Sequence, residues 1–332
     1  MTGRGSPVHD IVVIGGSAGA LDAMLDLMRG LPADYRGSLF MVSHIGANPS
    51  QLPELLAEAG QLPAVHPRHL QQIEAGHVYV APPDRHLLLA DGTILLSSLP
   101  REHFTRPAID PLFRSAAHAY GPRVVGIVLS GTGSDGTAGL VAIGAAGGIT
   151  VVQDPAEAAF REMPETALHA AHAHHVVAGA GLGPLLGVLA DEPVVMPAPV
   201  TSDAGPGEEL EVERPFALTC PECGGAIHEV GGSGILSYRC HTGHRFSANE
   251  LLAHQVSDVE RAVMVAIRVL QERTALCRRM IGDATAARRT YGVAYWSRLK
   301  GEAENELGVL WQFLHKATDA NASEPDYAPA SK

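Results

Sequence analysis

The chain has 332 residues, 46% of them hydrophobic, with a formal net charge of −12 and four cysteines. That length allows two domains with a sizeable core, and the acidic balance excludes the basic stripe that nucleic-acid phosphates require. The cysteines are too few and too clustered for a disulfide framework. The opening MTGRGSPVHD carries no basic-then-apolar signal, and no apolar run reaches the roughly 18 residues of a membrane span, so a soluble, cytoplasmic protein is expected.

In chain order, IVVIG (11–15) reads as a strand. Leu21, Met24, Leu25 and Met28 follow at helical spacing, then SLFMVSH as a second strand and QLPELLAEAG as a second helix. This alternation predicts a doubly wound, mostly parallel α/β sheet. HVYVAPP is followed by HLLLADGTILLSS, where Asp91-Gly92 between apolar runs predicts an inserted antiparallel hairpin. RVVGIVLSG, a glycine-rich turn, TAGLVAIGAAG and ITVVQD resume the βαβ rhythm.

The α/β domain is expected over 9–190, with a Pro-, Gly- and acid-rich linker over 191–215. A cysteine-bearing module over 216–247 and a helical hairpin over 248–318 follow, and 319–332 reads as a disordered tail. Ser247 and Glu250 have capping-box spacing. Leu251, Leu252, Val256, Val259, Val263 and Ile267 then form an apolar stripe, expected to pack against a second helix at about 293–316.

Gly-Gly-Ser-Ala-Gly (15–19) fits G-x-S-x-G, a strand-to-helix turn that exposes a serine hydroxyl, and it also fits a plain tight turn. A dinucleotide-binding turn would want glycine where Ser17 stands, and an acid where the second strand ends in His44. Neighbouring strands of a parallel sheet deliver the residues past their carboxyl ends to one crevice. Ser17, His44 and Asp135 follow three such strands, supplying a nucleophile, a base and an orienting carboxylate. One rival is Gly131-x-Gly133-x-x-Gly136 with Asp154 after the next strand, a dinucleotide fingerprint that would make the chain an oxidoreductase. It leaves Ser17 and His44 without a task and needs Asp135 to point out of the crevice. A second rival is a non-catalytic signalling adaptor on an esterase-derived fold.

IGGSAGA, VSHIG, VYVAPPDRHL, TRPAIDPLFRS, LSGTGSDGTAGL and VVQDP with a following MP occur in that order. Over residues 9–190 this series resembles the catalytic domain of the CheB-type protein-glutamate methylesterases. The resemblance implies a Rossmann-like methylesterase domain in which Ser17 is the nucleophile, His44 the general base and Asp135 the orienting carboxylate. It also implies an oxyanion-binding backbone N–H at Thr132. Ala18 and Thr132 stand where family members often have Thr and Met. The implied reaction is hydrolysis of glutamate 5-methyl esters, with glutamine deamidation as a related activity, on a methylated chemoreceptor or other methylated signalling protein. No cofactor is implied for catalysis. Family members usually carry an N-terminal phospho-receiver domain, and with a first strand at Ile11 its absence is expected. Control would then fall to a regulatory partner or to the C-terminal half.

Cys220-x-x-Cys223 and Cys240-x-x-x-His244 supply two pairs of soft ligands on two short turns, the pattern of a structural zinc-ribbon-like site. His241 competes with His244 for the fourth place, and the spacing favours His244. A module this short with few apolar residues needs such a staple. Cys277 reads as a core thiol, His169 and His172 as solvated side chains at a helix end, and His86 and Arg106 receive no role.

Overall fold

Two β-branched, apolar runs, Ile11–Gly16 (β1) and Ser38–Ser43 (β2), lie parallel in register in a computed structural model describing residues 7–44, 49–194, 214–230 and 236–322. Helix α1 (Leu21–Gly30) joins them. Next come α2 (Leu52–Ala59), β3 (Ala64–Val65), β4 (Gln71–Gln72), β5 (Val78–Val80), β6 (His86–Ala90) and β7 (Thr93–Ser97). Helix α3 (Ile109–Tyr120), β8 (Val124–Val128), α4 (Thr137–Ala145), β9 (Ile149–Gln153), α5 (Glu162–Ala171), β10 (His175–Val177) and α6 (Gly179–Asp191) complete the alternating region.

The main sheet has the order β10-β9-β8-β1-β2-β5-β3, and every pairing in it is parallel. Strand side chains alternate between two apolar cores, which is why the strands are nearly continuous in hydrophobic residues. Ile11, Val13, Phe40 and Val42 meet Ile109, Phe113, Leu140, Ile143 and Met163 of α3, α4 and α5. Val12, Ile14, Leu39 and Met41 meet Met24, Leu27, Leu56, Leu182 and Leu186 of α1, α2 and α6. The predicted doubly wound sheet is therefore present. The face α1 buries is Ala23, Met24, Leu27 and Met28, while Leu21 of the expected stripe is exposed. Strands β6 and β7 form the antiparallel hairpin around Asp91-Gly92, with Gly92 at φ +70, the left-handed conformation this turn demands.

Of the expected linker, 191–215, residues 195–213 lie outside the described ones, while Asp191 ends α6 and Arg214 and Pro215 open the next strand; most of the expected tail, 323–332, also lies outside them. The chain resumes as β11 (Arg214–Thr219), β12 (Ala226–Val230), β13 (Ser237–Cys240) and β14 (Arg245–Ser247), an antiparallel sheet in that order. Its small core is Cys220, Ile227, Tyr238, Cys240, Phe246 and Leu251. Helix α7 (Ala248–Ala286) starts at Ser247 through a capping box: Ser247 N–H donates to Glu250 Oε2 at 2.7 Å, and Glu250 N–H to Ser247 Oγ at 3.3 Å. Residues 1–251 form one compact unit, so this sheet packs with the α/β region rather than standing apart from it.

Residues 252–332 form the second unit, built from the rest of α7 and α8 (Thr290–Ala322). The two helices pair antiparallel, with Arg273 and Arg278 opposite Glu306 and Glu304. Their buried seam holds Ile267, Thr274, Cys277, Ala284 and Ala303. Of the predicted stripe within this unit Ile267 is buried and Val263 half-buried, while Leu252, Val256 and Val259 are exposed. No described helix is long and apolar enough to cross a membrane.

Candidate active site

Strands β8, β1 and β2 are neighbours at the centre of the sheet, so the residues leaving their carboxyl ends share one crevice. Ser17 leaves β1 in a tight turn: its N–H bonds Ser130 O at 2.9 Å, Ala20 N–H closes on Ser17 O at 3.2 Å, and Gly19 supplies φ +72. Gly131 passes so close that a β-carbon there would collide with Met163 and Ser17, which explains glycine in the facing loop.

Ser17 Oγ–H donates to His44 Nδ1 at 3.1 Å, and His44 Nε2–H donates to Asp135 Oδ2 at 2.8 Å. Asp135 is 1% exposed and lies against the start of α3, where the N–H groups of Ile109 and Asp110 reach its two oxygens at 2.7 and 2.9 Å. These donors are unpaired by construction at a helix start, and a carboxylate completes them. Burial alone would raise the Asp135 pKa; the charge of His103 and the hydrogen bond from His44 override it and hold the carboxyl well below the usual carboxylate range. Thr132 sits in the loop between β8 and α4, and among the described residues neither its N–H nor that of Ala18 has an acceptor.

The dinucleotide rival, set aside on the sequence, finds no support at the 131–136 loop. Asp135 points into the crevice, Met163 and Ser17 occupy the space beside Gly131, and Asp154 accepts from Ala156 N–H at 2.8 Å instead of facing a ribose. His86 is buried between Pro100 O and Ala108 N–H, and Arg106 grips Asp84 and the carbonyls of Ser98 and Leu99. Both hold the segment leading to α3. His103, unremarked in the sequence because it belongs to no motif, reaches within 3.7 Å of Asp135 Oδ1.

The second cluster lies on the β11–β12 and β13–β14 turns. Donor atoms of Cys220, Cys223, Cys240 and His244 all fall within 4.8 Å of one another. The Cys223 and Cys240 sulfurs are 3.7 Å apart, and His244 Nδ1 is 3.4 and 3.6 Å from those of Cys240 and Cys220. Two sulfurs on one tetrahedral zinc lie about 3.8 Å apart and a sulfur and a nitrogen slightly closer, so this donor set fits that ion. His241 packs against Gly225, outside the set. Thr242 Oγ1–H reaches the Cys240 sulfur at 2.9 Å, a donor suited to a thiolate.

Fold and site together define a doubly wound α/β protein with serine-hydrolase geometry at the carboxyl edge of its sheet. The sequence profile of the CheB methylesterase family matches residues 12–186, and the chain belongs to that family. A protein of Leptospira interrogans is 36% identical over 171 residues, 51% of this chain and 89% of its own. Two proteins named protein-glutamate methylesterase/protein-glutamine glutaminase are also similar. That of Anaeromyxobacter dehalogenans is 40% identical over 160 residues, 48% of this chain and 47% of its own. That of Maricaulis maris is 34% identical over 191 residues, 55% of this chain and 48% of its own. The chain thus spans about half the length of these two relatives. The crystal structure of the Thermotoga maritima CheB methylesterase catalytic domain superposes with a TM-score of 0.52 at 25% identity, covering 54% of this chain and 98% of that one.

Proposed function

We propose that this chain hydrolyses glutamate 5-methyl esters, and deamidates glutamine, on a methylated chemoreceptor or related signalling protein. The observation that carries the reading is His44 bridging Ser17 and Asp135 at 3.1 and 2.8 Å. His44 Nδ1 takes the Ser17 proton as Oγ attacks the ester carbonyl, and Asp135 holds the ring by its Nε2–H and balances the imidazolium that forms. The N–H groups of Thr132 and Ala18 receive the oxyanion; one such donor is worth about 2.7–4 kcal/mol of barrier. The imidazolium then protonates the departing methanol, or ammonia from glutamine, and water releases the acyl group by the reverse proton path. Methanol release from a panel of methylated receptor helices tests the reading: Ser17→Ala should abolish it, and unchanged release would sink it. The adaptor reading is separated by a serine-directed fluorophosphonate, which should label the parent chain and not Ser17→Ala.

Cys220, Cys223, Cys240 and His244 are proposed to hold a structural zinc, which would link the two turns that bound the small sheet. The C-terminal region is the proposed contact for a regulatory partner. Protein in a cytoplasmic setting, with reduced thiols, fits both readings.

A further inference from the structure

His103 lies between two parts of the chain that are far apart in sequence. Its Nδ1 is 2.7 and 2.9 Å from the two carboxylate oxygens of Glu250, and its Nε2 is 3.0 Å from Asp110 Oδ2 and 3.7 Å from Asp135 Oδ1. A neutral imidazole has one N–H, and here both ring nitrogens face carboxylates, so the ring must carry both protons. Its surroundings agree: burial opposes the charge, yet Asp135, Asp110 and Glu250 raise the His103 pKa well above the usual histidine value. Charged groups also facing this row include Arg114, 3.9 Å from Asp110, Glu102, 2.7 Å from Arg114, and Arg245, which lines one cavity with them. His44 faces Asp135 from the opposite side.

The conformation that aims His103 at Asp135 is held from the small sheet. His103 and Phe104 sit at φ +52 and +59, where side chains other than glycine are strained. His103 N–H donates to Arg245 O at 3.0 Å, Glu102 forms a β-bridge with Arg245, and the Phe104 ring lies 4.8 Å from that of Phe246. Glu250 also borders the glycine loop carrying Thr132: a β-carbon on Gly133 would come within 3.8 Å of Glu250 Oε1.

We infer that Glu250 and His103 form a positioning pair for Asp135, through which the C-terminal sheet completes the esterase triad. The inference rests on the triad reading above. The positive ring beside Asp135 shares that carboxylate's field, which otherwise acts on His44 alone. Removing it leaves the full field on the His44 imidazolium, favours the protonated, inactive base, and moves the acid limb of the rate profile to higher pH.

The test is the rate of fluorophosphonate labelling against pH in the full chain, for the parent, Glu250→Gln, Glu250→Asp, His103→Gln and Ser17→Ala. Glu250→Gln retains a capping side chain and loses the charge. With an amide at 250, His103 Nδ1 accepts from the amide N–H and the ring keeps only its Nε2 proton, so the acid limb should rise by about one pH unit, the low end of what a neighbouring charge imposes, with the rate recovering at alkaline pH. His103→Gln should shift the limb the same way, and Glu250→Asp should return it toward the parent. An unmoved limb in both Glu250→Gln and His103→Gln, or a uniform loss across all pH that Asp does not relieve, overturns the pair. Should Glu250→Gln lose the parent's circular dichroism, His103→Gln alone decides. An unlabelled parent, or a Ser17→Ala chain labelled as fast as the parent, overturns the triad reading instead.

Discussion

The α/β region and the four-stranded sheet place chemistry in opposite ways. The former buries two broad apolar layers, from Ile11, Phe40 and Phe113 on one face to Met24, Leu39 and Leu182 on the other, and sets polar groups only at strand ends. The latter has a core of six described residues, two of them cysteines of the proposed metal site. A thick core holds its site by packing; a thin one must hold itself by its ligands.

Metal removal separates the two most sharply. Structural zinc contributes about 10–16 kcal/mol to folding in small zinc modules, so chelation should strip amide-exchange protection from β12 and β13 while β1 and β8 keep theirs. Protected β12 amides in the chelated chain would show that the small sheet stands on its apolar residues. Ser17→Ala should cut methanol release by about 10⁴-fold or more and leave both regions folded and the metal content unchanged. In the thick core, Phe113→Ala removes a fully buried ring and should cost about 3–5 kcal/mol by denaturant unfolding, without releasing metal.

The smallest effect is the pH dependence of stability. Asp135 has a lowered pKa, so its contribution is present above the unfolded value near about 4 and is lost as the pH falls below it. His103 has a raised pKa, so its contribution is complete below about 6.5 and is lost as the pH rises through the folded value. Urea midpoints measured from pH 3 to 9 should fall at both ends, the alkaline loss disappearing in His103→Gln.

The same contrast explains what could be read from the letters. Ser17, His44 and Asp135 were legible because each stands just past a recognisable strand, and parallel topology brings such positions together without knowledge of any side-chain contact. The cysteine cluster was legible because metal ligands come in short, fixed spacings. His103 was not: it occupies a left-handed position that no residue type announces, and its partner is 147 residues away. On α7 the seam runs through positions 260, 263, 267, 274 and 277, and Val259 lies off that face, so a run of apolar letters at mixed three- and four-residue spacings does not fix which of them is covered. Glu250 was visible only as half of a helix cap.

That cap has a further meaning. Glu250 gives Oε2 to Ser247 N–H and Oε1 to His103, so one carboxylate both starts a helix and faces the charge row behind Asp135. On the proposed reading, the beginning of α7 and the chemistry of the crevice are a single design variable: a replacement cap such as a neutral amide should change the rate profile even where it still starts the helix.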